Sequence, residues 1–220
     1  MKASLKPATT TLEIIDLGRM DYAEAFRFQE TRVAARRSNG APDALVLVEH
    51  DPVFTLGQGA SEADIRWTVS EQARRQVQVV RTTRGGKVTY HGPGQVVGYP
   101  ILRLGREARE AVRYVGRLEQ VLIATLADFG LTAVADSRNR GVWIGNEKIA
   151  ALGVKISGGV SLHGFALNVR VDLSYYAGII PCGIMDKGVT SMHRFVPDIA
   201  PEQVKPVLVR RFKEVFNYDP

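Results

Sequence analysis

Hydrophobic positions along this chain change their period several times, and each change marks an element. Leu12-Glu-Ile-Ile-Asp-Leu17 reads as a strand, and Asp21 to Arg37 reads as a helix closed by Ser38-Asn-Gly40. Ala44-Leu-Val-Leu-Val48 is an apolar run of strand length that ends in the turn-forming Glu49-His-Asp-Pro52. Gln76 to Thr83 and Gln95 to Leu102 are strand-like. Between them, Arg84-Gly-Gly-Lys-Val-Thr-Tyr-His-Gly-Pro-Gly94 holds too many glycines for a regular element. The clearest helix runs from about Glu110 to Phe129, with Ala111, Val115, Leu118, Leu122 and Leu126 three or four apart, and Gly130 stops it. Val142-Trp-Ile144 and Lys148 to Ile156 form two strands joined by Gly145-Asn-Glu147, and Ser157-Gly-Gly159 turns the chain into a third, Ser161 to Val169. A last helix, about Pro201 to Phe216, carries Val204, Leu208, Phe212 and Val215 on one face, with Pro206 expected to delay its start by a turn.

This order mixes hairpins with helices and shows no repeat or linker. It predicts one domain over residues 1–220, with its core at about 12–216. The fold class is α+β (mixed α/β), a mixed, largely antiparallel sheet with flanking helices and glycine-rich loops at one edge. With 45% hydrophobic residues in 220, the chain is long enough for one well-buried core. The opening Met1-Lys-Ala-Ser-Leu-Lys-Pro-Ala has no apolar stretch long enough for a signal peptide, and no later segment approaches a membrane span. A cytoplasmic protein with no membrane partner, working as a monomer, is expected.

Charge narrows the partners. Lys and Arg number 29 against 23 Asp and Glu, a net +6 that favours acidic partners in general. The basic residues are scattered, as in Arg36-Arg37, Arg74-Arg75 and Arg210-Arg211, with no long run and no interleaved aromatics, which argues against nucleic acid.

Cys182 is the one cysteine, in Ile179-Ile-Pro-Cys-Gly-Ile184, so it can make neither an internal disulfide nor a Cys-rich metal site. It is either a buried structural thiol or a nucleophile. The Arg84 to Gly94 loop combines glycines that let a ligand approach the backbone with the donors of Arg84, Thr89, Tyr90 and His91, so it reads as a binding loop or as a tight connection. Lys148 alternates onto the face of Ala150, Leu152 and Val154, either snorkelling at an edge or partly desolvated into a base. In His163-Gly-Phe-Ala-Leu-Asn-Val169, His163 shares a face with Phe165 and Leu167. Gly164, Ala166 and Asn168 line the other face, leaving room for an apolar ligand or for another backbone.

Other arrangements are missing. His50, His91, His163 and His193 lack metal-type spacing, so no metal is expected. No Gly-x-Ser-x-Gly elbow or P-loop occurs, and Gly57-Gln-Gly59 lacks the third glycine of a dinucleotide fingerprint.

Taken together, Arg84-Gly-Gly-Lys-Val-Thr-Tyr-His91, Lys148-Ile-Ala-Ala-Leu-Gly153, His163-Gly-Phe-Ala-Leu-Asn-Val169 and Pro181-Cys-Gly-Ile184 with Val189-Thr-Ser191 resemble the lipoyl(octanoyl) transferase family. The resemblance implies the fold of the biotin and lipoate protein ligase catalytic domains. It implies transfer of an octanoyl or lipoyl group from acyl carrier protein to a lysine of lipoyl domains, those of 2-oxoacid dehydrogenase complexes and of the glycine cleavage H protein. Cys182 would be the acyl-accepting nucleophile and Lys148 its acid/base partner. Arg84, Gly85, Gly86, Lys87, Val88, Thr89, Tyr90 and His91, with Ala151, Leu152, Gly153, Gly164, Phe165 and Ala166, would form the acyl pocket. No ATP and no metal cofactor is implied, since the donor is the phosphopantetheine thioester of the carrier. The contrasting readings are an ATP-dependent lipoate or biotin ligase, and a non-catalytic acyl- or carrier-binding module in which Cys182 only packs.

Overall fold

The computed structural model describes residues 11–104, 108–136, 139–180 and 188–219. Its elements run β1 (Leu12–Met20), α1 (Tyr22–Arg37), β2 (Asp43–His50), β3 (Val53–Leu56), α2 (Val69–Arg74), β4 (Gln78–Arg81), β5 (Val88–His91), β6 (Gln95–Ile101) and α3 (Ala108–Asp128). There follow β7 (Val134–Ala135), β8 (Val142–Ile144), β9 (Glu147–Ser157), β10 (Val160–Asn168), β11 (Gly188–Val189) and α4 (Pro201–Phe216). The main sheet has the order β1-β2-β6-β10-β9-β8-β7, and β11 also pairs with β9. Its ladders are antiparallel except β1 with β2 and β11 with β9, which are parallel. A second sheet has the order β4-β3-β5. The expected mixed, largely antiparallel sheet with flanking helices is therefore present.

The main sheet is covered on both faces, so its central strands read as nearly continuous apolar runs. Leu45, Leu47, Val96, Phe165 and Leu167 pack with Leu118, Leu122 and Leu126 of α3 and Val204, Leu208 and Phe212 of α4. Val46, Val48, Val97 and Ala166 face the other way, against Ala25 and Val33 of α1. A third cluster, Phe54, Val88, Tyr90, Tyr176 and Ile179, underlies the small sheet. Helix α1 begins at Asp21, whose carboxylate accepts from the backbone N–H groups of Ala23 (2.8 Å) and Glu24 (3.2 Å).

Three expectations need correction. Helix α4 starts at Pro201, its first turn, and continues through Pro206, since Val204, Leu208 and Phe212 are all fully buried and their packing outweighs one missing N–H. The glycine-rich loop contains a strand, β5, because Val88 to His91 pairs with β3 and its glycines stand outside the paired stretch. Lys148 does not share a face with Ala150 and Val154. The β8 and β9 registers slip between Val142↔Ala150 and Trp143↔Lys148, a bulge that places one extra residue in β9. Ala150 and Val154 turn to the α3 and α4 side, and Lys148 turns to the opposite side with Ala151 and Gly153.

Candidate active site

A cleft of about 940 Å³, open mouth included, lies between the two sheets. Its walls are β5 and the loop before it, the facing sides of β6, β9 and β10, and Tyr22 at the start of α1. Arg84, Gly86, Lys87, Val88, Thr89, His91, Ala151, Leu152, Gly153, Gly164, Phe165 and Ala166 line it, together with Lys148. Gly85 and Tyr90 do not. The two-residue period of β5 sends Tyr90 away from Thr89 and His91, into the core under the small sheet, where its ring stacks on Tyr175 at 4.7 Å. Gly85 ties the loop down, donating to the Val154 carbonyl and accepting from Arg84 Nη1. Cys182 lies outside the described residues.

Small residues make the room. A Cβ on Gly164 would stand 2.0 Å from the Gly98 carbonyl oxygen, so only glycine lets β10 approach β6 there. The preceding His163 has a left-handed backbone, φ +59°. That conformation breaks the alternation expected of β10, and its ring stacks on Phe26 of α1 at 5.4 Å instead of joining Phe165 and Leu167. The His163 amide donates to Gln29 Oε1, and its Nε2 lies 3.1 Å from Thr83 Oγ1.

Lys148 stands where β10 leaves β9 and β11 takes its place, with Val189 opposite it. Its ammonium donates to the Arg140 carbonyl at 3.1 Å and lies 4.8 Å from the centre of the Trp143 ring. Both contacts suit a cation. Gly141 (φ +143°) belongs to the same cradle, for a Cβ there would come within 3.0 Å of Lys148 Cε. Arg84 is buried, and its guanidinium donates to the Thr55 carbonyl and hydroxyl on β3, so it fixes the loop as well as lining the cleft.

His91 and His163 line the cleft, His50 stands against His91 at 5.8 Å between ring centres, and all three are uncharged at neutral pH. Burial holds His50 down at about 4, with its Nδ1 donating to the Met20 carbonyl and its Nε2 accepting from the Tyr99 hydroxyl. Burial, then the neighbouring His50, hold His91 at about 3, and burial with the Arg84 charge does the same for His163. The cleft thus combines the basic side chains of Arg84, Lys87 and Lys148 with the neutral imidazoles of His91 and His163. Among the described residues, no three His, Asp or Glu side chains converge as they would around a metal ion.

The motif reading did not reach Tyr22, Tyr99, Arg140, Trp143 or Tyr176, which also line the cleft. Only Trp143, five residues before Lys148 and two residues into a short strand, left any local signal, as a large aromatic on a strand leading to a candidate lysine.

Residues 21–213 match the family of lipoyl protein ligase A/B catalytic domains. An octanoyltransferase of Alkaliphilus metalliredigens is 41% identical over 214 residues, covering 94% of this chain and 96% of the relative. One from Gloeobacter violaceus is 46% identical over 205 residues, covering 93% and 90%. The chain belongs to the octanoyltransferase family. Among solved structures, a lipoate-protein ligase A bound with ATP superposes with a TM-score of 0.80 at 19% identity, covering 94% of this chain and 86% of that one. A biotin protein ligase from Aquifex aeolicus gives 0.54 at 12% identity, covering 93% and 68%. These two likenesses establish the shared fold alone. No helix among the described residues is long and apolar enough to cross a membrane.

Proposed function

We propose that this protein transfers an octanoyl group from acyl carrier protein to a lysine of lipoyl domains through a thioester on Cys182, with Lys148 as acid and base. The observation that carries the reading is the position of Lys148. It projects into a cleft walled by Ala151, Gly153, Gly164 and Ala166, in a chain whose octanoyltransferase relatives match it over nearly its whole length. Those small residues leave an apolar slot for an acyl chain.

The Lys148 ammonium favours ionisation of a neighbouring thiol, which otherwise is only a few per cent thiolate at neutral pH. The Cys182 thiolate attacks the donor thioester carbonyl. A new C–S bond forms, the old one breaks, and Lys148 gives a proton to the departing carrier thiolate. The acceptor amine then attacks the acyl-cysteine, the C–N bond forms, Lys148 takes the amine's proton, and the Cys182 thiolate leaves. The thiolate and ammonium are restored, and exchange of one thioester for another followed by amide formation runs without ATP. Arg84, Gly86, Lys87, Val88, Thr89 and His91, with Ala151, Leu152, Gly153, Gly164, Phe165 and Ala166, wall the acyl-substrate pocket, and backbone N–H groups of the loop face the developing oxyanion. Lipoyl domains of 2-oxoacid dehydrogenase complexes and the glycine cleavage H protein are the acceptors in this scheme.

Intact-mass measurement after mixing with octanoyl-acyl carrier protein, without ATP, tests it. The expected result is an octanoyl adduct that is absent in Cys182→Ser and discharges onto a lipoyl domain. No adduct, together with ATP-dependent transfer from free octanoate, would overturn it in favour of a ligase. Unchanged function in Cys182→Ala would leave only an acyl-binding module.

A further inference from the structure

Beside the cleft runs a chain of buried polar groups, of which the octanoyl-transfer reading uses only His91, as a pocket wall. His91 Nδ1 lies 2.7 Å from Gln95 Oε1, Gln95 Nε2 lies 2.8 Å from Asn168 Oδ1, and Asn168 Nδ2 lies 2.9 Å from the Thr190 carbonyl. All four residues are buried. Thr190 follows the β11 residue that pairs with Lys148, and its N–H donates to the Lys148 carbonyl.

Two backbone carbonyls set the direction of this chain. A carbonyl only accepts, so the Thr190 oxygen requires the Asn168 NH₂ and turns Asn168 Oδ1 toward Gln95. Gln95 must then present its NH₂ to Asn168 Oδ1, and the same NH₂ also reaches the Tyr90 carbonyl at 3.3 Å. Its Oε1 is left for His91, whose Nδ1 therefore carries the proton. His91 Nε2 is a bare acceptor on a ring that lines the cleft. Among the described residues, Tyr22, His50, Arg84 and His163 are the titratable or charged groups facing that ring, and none of these four is an anion at neutral pH that would draw a proton onto it.

The register says which end of the cleft His91 serves. Gln95 pairs with Asn168, one step beyond the Leu167↔Ala150 pair, which is the Lys148 end of β9. An acyl chain offers no donor to a bare nitrogen, whereas an attacking primary amine carries N–H bonds on its reacting atom. Resting on the transferase reading above, we infer that Gln95 and Asn168 are positioning residues that lock His91 with Nε2 bare, to accept a hydrogen bond from the attacking amine of the acceptor lysine. His91 orients the amine, and the proton goes to Lys148.

Nitrogen NMR of histidine-labelled protein and half-reaction kinetics test this together. At neutral pH, His91 should show a protonated Nδ1 and a bare Nε2. Gln95→Glu, which places a carboxylate at Nδ1, should move the His91 titration upward and slow discharge of the octanoyl adduct. His91→Ala should slow discharge onto a lipoyl domain about tenfold more than it slows loading from octanoyl-acyl carrier protein, the worth of one orienting hydrogen bond. His91→Gln, whose amide oxygen reaches the Nε2 position, should restore part of that loss. A proton found on Nε2, or equal slowing of both half-reactions in His91→Ala, would sink the inference. If wild-type protein forms no adduct at all, the transferase reading falls and this role of His91 falls with it, while the NMR result still decides the tautomer. Should His91→Ala fail to fold, the wild-type spectrum and Gln95→Glu decide.

Discussion

At the scale of single residues, the cradle around Lys148 carries the clearest consequence. Among the described residues, its ammonium meets the Arg140 carbonyl and the Trp143 ring face, and the ring contact is worth about 1 kcal/mol when partly desolvated. Trp143→Phe keeps an aromatic surface with a weaker quadrupole, and should lower the rate of octanoyl-adduct formation by about two- to fivefold. Lys148→Ala should lower it far more, and time-resolved intact-mass measurement separates the two. A Lys148→Ala protein that loads and discharges normally would remove that residue from the mechanism. Lys148 itself was legible in the motif Lys148-Ile-Ala-Ala-Leu-Gly153, but its neighbours were not. Trp143 comes into contact through the bulged pairing of β8 with β9, and the Arg140 carbonyl is a backbone group that no side-chain pattern announces. Gln95 and Asn168 likewise read as ordinary polar residues at strand ends until the β6 and β10 register sets them side by side.

Among the elements, the long periodic segments and the short strands β4 and β8 were read from the sequence, whereas β3, α2, β5, β7 and β11 were not. The period of α3 is carried by Leu118, Leu122 and Leu126, all fully buried, so its pattern is its packing. By contrast, β5 hides inside a glycine-rich stretch because its partner β3 is more than thirty residues earlier, and nothing local favours the pairing. The strand alternation assumed for β9 and β10 failed at a bulge and at the left-handed His163, both tertiary adjustments that open the cleft. Two glycines make opposite predictions. Gly164→Ala would drive a Cβ against the Gly98 carbonyl, a backbone atom held in the sheet, and should destabilise by about 2 kcal/mol or more while also narrowing the cleft. Gly116→Ala, inside α3 with nothing within 4 Å, should stabilise by about 0.5–1 kcal/mol from helix propensity. Thermal unfolding of the two variants checks the pair, and a Gly164→Ala protein as stable as wild type would refute the close approach.

Over the whole molecule, the fold class followed from the mixed order of strands and helices, while the opposition of the two sheets across a cleft did not, since it depends on long-range pairing. The same burial that shapes the cleft makes stability depend on acidity. His50, His91 and His163 are held at about 4, 3 and 3, below the ordinary value near 6.5, because each is shut away from water. Above pH 6.5 all three are neutral in both folded and unfolded chains and contribute no pH dependence. As the pH falls below 6.5 the unfolded chain takes up protons that the folded one refuses, so stability declines. The decline continues until the folded-state values near 4 and 3 are reached. At pH 5 each histidine should remove about 2 kcal/mol, or about 6 kcal/mol for the three, an amount comparable with the whole stability of many domains. Denaturant unfolding between pH 7.5 and 5 should therefore show little change down to about pH 6.5 and a steep loss of stability over the lower part of that range, before most carboxylates protonate. Replacing His50 by Gln, which retains a donor and an acceptor but has no proton to gain, should remove about one third of the slope. A flat stability profile from pH 7.5 to 5, or a slope untouched by that replacement, would show that these imidazoles are not held neutral by the fold.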